Sequence, residues 1–430
     1  MARRGFQKAA LAVIVLAALL RVSFAVSEVD SGLPAANLPG ATPGVNSGAS
    51  VEPVAQAVQA RPASQIIFDI PSESAILIEA ATGQVLWQKN AHKRLPPASI
   101  SKIMTMLLAM EAVEAGRVSL DDQVTISARA SQQTGSRAFL ARGERYTLRE
   151  LLKSIAIASA NDASVAVAEY LAGTEEAFVA SMNRRAKELG MKNTYFYDSS
   201  GLPAPEGVRG NYTTANDIAI MSRALVRFPE VLKWTSTWQD SLRGGKFILT
   251  NTNKLLNTYL GADGLKTGHT EEAGWSLSAT AQRNNLRLIA VVLRTESDEA
   301  RVEQAARLLD YGYRAFTRVP VASRGRRVGS VAVPNGTRTV LPVVTGQPLV
   351  VLTRRGDESL LQKKLVLPKN VQAPLSRGQK VGELRATLGN ETLGRVDLVA
   401  AEPVARANPV VVFFRRIWGG LVYIVTLGRR

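Results

Sequence analysis

The chain has no cysteine and only two histidines, His92 and His269. The first absence excludes a disulfide scaffold, a thiolate metal site and a thiol nucleophile. The second leaves too few imidazoles for a multi-histidine metal centre, so no metal and no cofactor is expected. No uninterrupted apolar run is long enough to cross a bilayer. No Gly-x-Ser-x-Gly elbow is present, so the usual strand-to-helix serine of a Ser-His-Asp hydrolase is missing. No nucleic-acid motif appears either. Acid is scarce relative to base: 36 Asp and Glu stand against 53 Lys and Arg, a formal charge of +17. Such an imbalance suggests an anionic partner, a membrane surface or a wall polymer.

What is present begins with an export pattern. Arg3, Arg4 and Lys8 precede the apolar run from Ala9 to Leu20, and Ser23-Phe24-Ala25 is a small-x-small cleavage site. Residues 1–25 therefore read as a signal peptide and the protein as one that works outside the cytoplasm. Residues 26–64 lack aromatics, are poor in charge and rich in Ala, Pro, Gly and Ser, the composition of a flexible linker.

From about residue 65 the texture is that of a packed domain. "AILIEAATGQVLWQK" (75–89) reads as a hairpin, and a helix is expected from Pro97 to Gly116. "LRELLKSIAIASANDASVAVAEYLAG" (148–173) reads as two helices broken at Ser159-Ala160-Asn161. Further helices are expected over 175–190, within "TTANDIAIMSRALVRFP", and within "DEARVEQAARLLDYGYRAF". Strands are expected at "GLKTG", "GWSLSATAQ" and "LRLIAVVLR". Strands at both ends and helices between them imply an α+β domain over 65–318, one antiparallel sheet with helices packed on it. Short β-runs separated by Gly and Pro follow to residue 404, a small all-β domain. In the last stretch, 408–430, Val410, Phe414, Ile417, Leu421 and Val425 recur at helical spacing among four arginines. This pattern predicts an amphipathic helix in a membrane interface, its arginines on anionic head groups.

The chemistry is concentrated in "PPASISKIMTMLLAMEA" (96–112), where Lys102 sits in an almost wholly apolar helix. Ser99 precedes it by three residues, so the two share a helix face near a helix start, where free N–H groups favour developing negative charge. Burial lowers a lysine pKa, and a neutral amine beside a hydroxyl is a general base beside a nucleophile. Ser159 and Asn161 fall at the break between two apolar helices, where small polar side chains can face a cleft. Lys266, Thr267 and Gly268 lie on a strand, with Lys266 and Gly268 on one face and Thr267 on the other. Gly268 leaves room for the close approach of another backbone or a ligand. A second cation near Lys102 would depress its pKa further.

Ser-x-x-Lys, Ser-x-Asn and Lys-Thr-Gly in this order are the signature set of the penicillin-recognising serine enzymes. The chain resembles the low-molecular-mass penicillin-binding proteins, the bacterial D-alanyl-D-alanine carboxypeptidases. "PPASISKIMT", "SANDASVAVAEYLAG", "MKNTYFYDSSGL" and "DGLKTGHTEEAGWSLSATA" carry the likeness, which runs from about residue 65 to the C-terminus. A class A β-lactamase shares the first and third motifs but not the extra β-domain, the anchor or the histidine after Lys-Thr-Gly. No convincing Glu-x-x-x-Asn loop is present to supply its deacylating water. The resemblance implies a serine β-lactamase/DD-peptidase-like fold and the removal of the terminal D-alanine from peptidoglycan stem pentapeptides. It implies that Ser99 is the nucleophile, Lys102 its base, Ser159 a proton relay and Asn161 a positioning group for the peptide and Lys102. Lys266 and Thr267 would hold the terminal carboxylate, the N–H groups of Ser99 and His269 would form an oxyanion hole, and Arg301 would assist. β-Lactam antibiotics would be inhibitors, nucleic acid would not be a partner, and the protein would sit peripherally on the outer, periplasmic face of the cytoplasmic membrane.

Overall fold

The computed structural model describes residues 68–415 and 417. The expected signal peptide (1–25) and linker (26–64), and all but the start of the expected C-terminal helix (408–430), lie outside the described residues. Strands β1 (Ser74–Glu79) and β2 (Val85–Lys89) form the first hairpin. Two small hairpins sit within the helical part, β3 (Gln123–Thr125) with β4 (Arg145–Thr147), and β5 (Gln239–Leu242) with β6 (Phe247–Thr250). Strands β7 (Ala262–Thr270), β8 (Gly274–Arg283) and β9 (Leu286–Thr295) then join the first hairpin in a five-stranded sheet of order β2-β1-β9-β8-β7. All its pairings are antiparallel. Asn284 and Asn285, both at positive φ, make the two-residue turn between β8 and β9, the twist that a tight hairpin demands.

The sheet is covered on both faces, which is why β1 is buried at every position rather than at alternate ones. Ile76, Ile78, Ile289, Val291 and Leu293 join the core beneath the helices of the middle of the chain. Ala75, Leu77, Leu288, Ala290 and Val292 join the core on the other face, under the Asp298–Ala315 helix. In that helix Gly312 lies against Leu77 and Leu288, where a Cβ would collide. The expected α+β domain is thus present, with strands from both ends of its sequence in one sheet.

Two helices meet at the middle of the larger core. The Leu148–Ala158 helix starts at a capping box, in which the Thr147 hydroxyl accepts from Glu150 N–H while the Glu150 carboxylate accepts from Thr147. It ends at Ser159, held in the left-handed region at φ 60°, and the Asn161–Ala172 helix restarts after Ala160. The Pro229–Ser236 helix and both small hairpins were not legible in the sequence: each is short, and none repeats a period for long enough to register.

The Asp298–Ala315 helix passes directly into β10 (Phe316–Ala322). Strands β11 (Arg327–Ala332), β12 (Val340–Thr345), β13 (Leu349–Arg354), β14 (Leu361–Val366), β15 (Lys380–Leu388) and β16 (Glu391–Ala400) follow. They form a β10-β13 pair and a sheet of order β11-β12-β16-β15-β14 around a separate apolar core. This is the expected all-β region.

Because the capping box fixes where the helix leading to Ser159 begins, Thr147→Ala is expected to cost about 0.5–2 kcal/mol of stability. Urea denaturation measures it, and an unchanged midpoint would mean that packing alone sets this helix start.

Candidate active site

Pro96 and Pro97 are followed by a 3-10 turn, Ala98–Ser101, and only then by the α-helix Lys102–Glu114. Ser99 therefore lies in a tight turn ahead of the α-helix rather than in its first α-turn, a departure from the single helix expected over 97–116. The three-residue repeat of that turn still brings Ser99 over Lys102. Lys102 is completely buried, and its Nζ donates to Ser99 Oγ at 2.8 Å and to the Ser200 carbonyl at 2.7 Å. Burial lowers its pKa to about 7, against the opposing charges of Asp198 and Asp162.

The segment from Asp198 to Gly201 locks onto this helix. Thr105 Oγ1 donates to the Ser199 carbonyl at 2.6 Å, and the Asp198 carboxylate accepts from the N–H groups of Ser200 and Gly201. Burial raises the pKa of Asp198. Ser199 is tied in turn to Glu175, which accepts its N–H at 3.1 Å and its hydroxyl at 2.6 Å. Gly201, at φ +87°, lies so close that a Cβ would strike the Ala98 carbonyl. Lys102 thus has a backbone acceptor ninety-eight residues away in sequence. Spacing arguments do not reach that far; the only sequence signal was the likeness carried by "DSSGL".

Ser159 and Asn161 are both nearly buried. Asn161 Nδ2 donates to the Thr134 carbonyl at 2.6 Å, its N–H donates to the Ser136 carbonyl at 2.7 Å, and its Oδ1 has no partner among the described residues. Its neighbour Asp162 accepts from the N–H groups of Ala138 and Leu140. The break between the two helices therefore holds the 134–140 loop in place. The expected contact of Asn161 with Lys102 is not made: the amine bonds Ser99 and Ser200 instead.

On the strand side, Gly268 lies against the Pro97 carbonyl, Ile100 and Ala98, so a Cβ there would clash with backbone. This is the close approach that the glycine was expected to permit. Lys266 is buried, and its Nζ donates to the Thr267 carbonyl at 3.1 Å. Burial holds its pKa well below the usual lysine range, with further depression from the charges of Lys102 and Arg301. A second lysine thus stands near Lys102, but the expected depression falls on Lys266: the pKa of Lys102 is lowered by burial alone. Thr267 Oγ1 lies 2.6 Å from Thr252 Oγ1, a partner that the sequence reading missed. Arg301 reaches the strand from the final helix of the domain. It donates to the carbonyls of Gly268 at 3.2 Å and Ser276 at 3.3 Å, pairs with Asp298, and lies over the Trp275 ring at 4.9 Å. Its guanidinium is spent on the strand backbone and adds positive charge behind Lys266. His269 is exposed and stacks on Trp275 with ring centroids 3.7 Å apart. Among the described residues no group of His, Cys, Asp and Glu could hold a metal ion. A buried amine at a hydroxyl, next to a second buried lysine and the Arg301 guanidinium, can activate an alcohol and bind an anionic group.

Residues 56–297 match the family model described as D-alanyl-D-alanine carboxypeptidase. Residues 316–406 match that of the C-terminal domain of penicillin-binding protein 5. The chain is 41% identical to the D-alanyl-D-alanine carboxypeptidase DacF of Bacillus subtilis, over 81% of this chain and 89% of that protein. It is 34% identical to DacD of Escherichia coli, over 79% of this chain and 88% of the relative. Among solved structures, penicillin-binding protein 5 of Haemophilus influenzae superposes with a TM-score of 0.70 at 29% identity, covering 79% of this chain and 98% of that one.

The folded protein holds Lys102 near 7, against an ordinary 10.5. Between those values the unfolded chain binds more protons at this lysine, so its contribution makes stability rise with pH across that window. Lys102→Met is expected to flatten this rise, measured as urea midpoints from pH 7 to 10. An unchanged slope would mean that the amine keeps its charge in the folded state.

Proposed function

The chain belongs to the D-alanyl-D-alanine carboxypeptidase family, and from that premise we propose how its own residues divide the work. It is a serine-type D-Ala-D-Ala carboxypeptidase of the cell envelope, a hydrolase acting on peptidoglycan stem peptides and acylated by penicillins. The observation that carries the division of roles is the 2.8 Å contact between the wholly buried Lys102 amine and Ser99 Oγ. Near neutral pH a large share of that amine is unprotonated. In that form it accepts the Ser99 proton as the oxygen attacks the carbonyl of the penultimate D-alanine. The negative charge on the former carbonyl oxygen is met by the N–H groups of Ser99 and His269. Ser159, at the helix break, relays the proton that Lys102 took from Ser99 to the departing D-alanine nitrogen, which leaves Lys102 neutral again. Asn161 positions the peptide from the same break. Lys266 and Thr267 hold the terminal carboxylate, and Arg301 strengthens their field from behind the strand. Water then attacks the acyl-enzyme, its proton taken by the same base and returned to Ser99 Oγ as the acyl bond breaks and the shortened peptide leaves.

The proposal extends to the chain ends. Residues 1–25 act as the export signal, 26–64 as a linker, and 408–430 as an amphipathic helix that holds the enzyme on the outer face of the cytoplasmic membrane. Among the described residues no helix is long and apolar enough to cross a membrane. The start of the last segment supports an interfacial seat: Val410, Val411, Phe413, Phe414 and Ile417 are exposed apolar side chains, while Arg415 donates to the Gly336 carbonyl at 2.9 Å and ties the segment's start to the β-domain.

Labelled penicillin is expected to attach at Ser99, and Ser99→Ala to abolish both the adduct and release of D-alanine from a stem pentapeptide; a stable adduct in the variant would move the nucleophile elsewhere. For the tail, the full chain without its leader is expected to sediment with anionic vesicles, and less so at high salt because each arginine contributes about 1 kcal/mol of screenable attraction. Salt-independent binding to neutral vesicles would replace the interfacial helix with a purely apolar anchor.

A further inference from the structure

Charge is divided unevenly along the chain. Residues 65–318 carry 30 Lys and Arg against 27 Asp and Glu, whereas residues 319–404 carry 13 against 6. In the β-domain part of this excess is gathered on one face of the five-stranded sheet. Residues directly opposite each other in antiparallel strands point to the same side. Lys364 on β14 stands opposite Arg385 on β15, and Arg385 stands opposite Arg395 on β16. The three cations thus form one row across three strands, spanning about 10 Å at the usual strand spacing. Their neighbours along the strands, Leu384, Ala386 and Val396, point the other way into the apolar core, so the row is on the outer face.

The row is only partly neutralised by the acids two residues along, Glu383 and Asp397. Glu383 takes Arg385 at 3.0 Å and Lys380 at 3.4 Å, and Asp397 takes Lys380 at 2.6 Å. Lys364 and Arg395 are exposed, and neither forms an ion pair with any described residue. Like charges directly opposite each other destabilise a sheet, so the row is unfavourable until an anion arrives. Beside it a concavity of about 400 Å³ is lined by Arg385, Thr392, Gly394 and Arg395. The row also lies away from the point where the C-terminal segment is held. Arg415 donates to the Gly336 carbonyl, in the turn between β11 and β12. The pairing of Val343 with Ala400 places that turn beyond the end of β16. Arg395 is five residues back from Ala400, about 17 Å at the rise of a strand. Head groups beneath the C-terminal segment therefore lie nearer the other end of these strands.

We infer that this outer face is a second binding surface for the wall polymer that carries the substrate, on which Lys364, Arg385 and Arg395 take the carboxylates of stem peptides neighbouring the one being cleaved. The inference rests on the carboxypeptidase reading, because that reading supplies the polymer. Each stem ends in a carboxylate, and release of D-alanine leaves a new carboxylate one residue back. The polymer is therefore anionic before and after turnover, and the face holds it through both. While one stem is at Ser99, others on the same polymer meet the row at a high effective concentration, so weak single contacts add to useful retention. The guanidinium forks of Arg385 and Arg395 suit carboxylates, and Lys364 adds a point charge at the open edge of the sheet.

The test compares the full chain without its leader, wild type and a triple variant (Lys364→Gln, Arg385→Gln, Arg395→Gln), on two substrates: a monomeric stem pentapeptide and soluble glycan fragments that each carry several pentapeptide stems. D-Alanine release is expected to be equal for the two proteins on the monomer. On the fragments the triple variant is expected to lose about fivefold or more in kcat/KM, the scale of three exposed charge contacts, with the loss in KM and kcat kept. Raising the salt should shrink the wild type's advantage, and a variant with Arg385→Lys and Arg395→Lys should keep most of it. Both substrates are compared on one preparation, so any loss of folded protein cancels from the ratio. An equal loss on monomer and fragments, or no loss on either, would overturn the surface. So would weaker sedimentation of the triple variant with anionic vesicles together with unchanged kinetics on the fragments, which would assign the row to the membrane. Failure of the wild type to release D-alanine even from the monomer would overturn the carboxypeptidase reading, and this occupant with it.

Discussion

A lysine amine with no access to water is the constraint on which the rest of the catalytic domain depends. Fully desolvated, Lys102 must either lose its charge or find oxygens to meet it. It has two, the Ser99 hydroxyl and the Ser200 carbonyl, from segments far apart in sequence. Holding them there requires the 3-10 turn of Ala98–Ser101, the Asp198–Gly201 segment and the strand at Gly268 to crowd one spot. Gly201 and Gly268 are the two places where that crowding leaves no room for a side chain. The buried acids Asp162 and Asp198 keep the site from being a bare pair of cations: each raises the tendency of Lys102 to hold a proton, while burial lowers it. The balance near neutrality comes from this opposition rather than from any single neighbour.

The same logic explains the supporting architecture. Ser159 and Asn161 are positioned by the end of one helix and the start of the next, a more rigid mount than a free loop. Asp162 then uses its carboxylate on the backbone of the 134–140 loop, so the side of the cleft is fixed by the break that carries the site residues. Across the cleft, Arg301 spends its hydrogen bonds on the carbonyls of Gly268 and Ser276. Its charge lies behind Lys266, where it makes the region more attractive to an anion and makes a protonated Lys266 harder to sustain.

Much of this was legible in the residues. The broken helix at 159–161 could be placed because long apolar runs of period 3.6 flank a small polar triplet. The strands at 262–295 could be placed because β-branched and small apolar residues recur between Gly and Asn turns. Short elements escaped: the β3-β4 and β5-β6 hairpins offer three or four residues each, too few for a period. The residues after Pro97 predict a single helix although its first turn is 3-10, because a 3-10 turn and an α-turn share nearly the same side-chain spacing over one turn.

Sequence alone determined the local chemistry: which serine has a lysine one turn away, which strand offers a lysine and a missing side chain, which segments repeat as helix or strand. These are properties of neighbours along the chain, and covalent geometry enforces them wherever the chain goes. Tertiary structure alone decided what each group meets. It gave Lys102 the Ser200 carbonyl, turned Asn161 to the 134–140 loop, engaged Arg301 with the strand backbone, and stacked Arg94 and Arg209 on Tyr195 and Tyr212. Those partners are brought together by burying two faces of one sheet. Hydrophobic burial depends on area and carries no direction, so the sequence pattern names the faces that must be covered without naming the polar groups that covering them brings into contact.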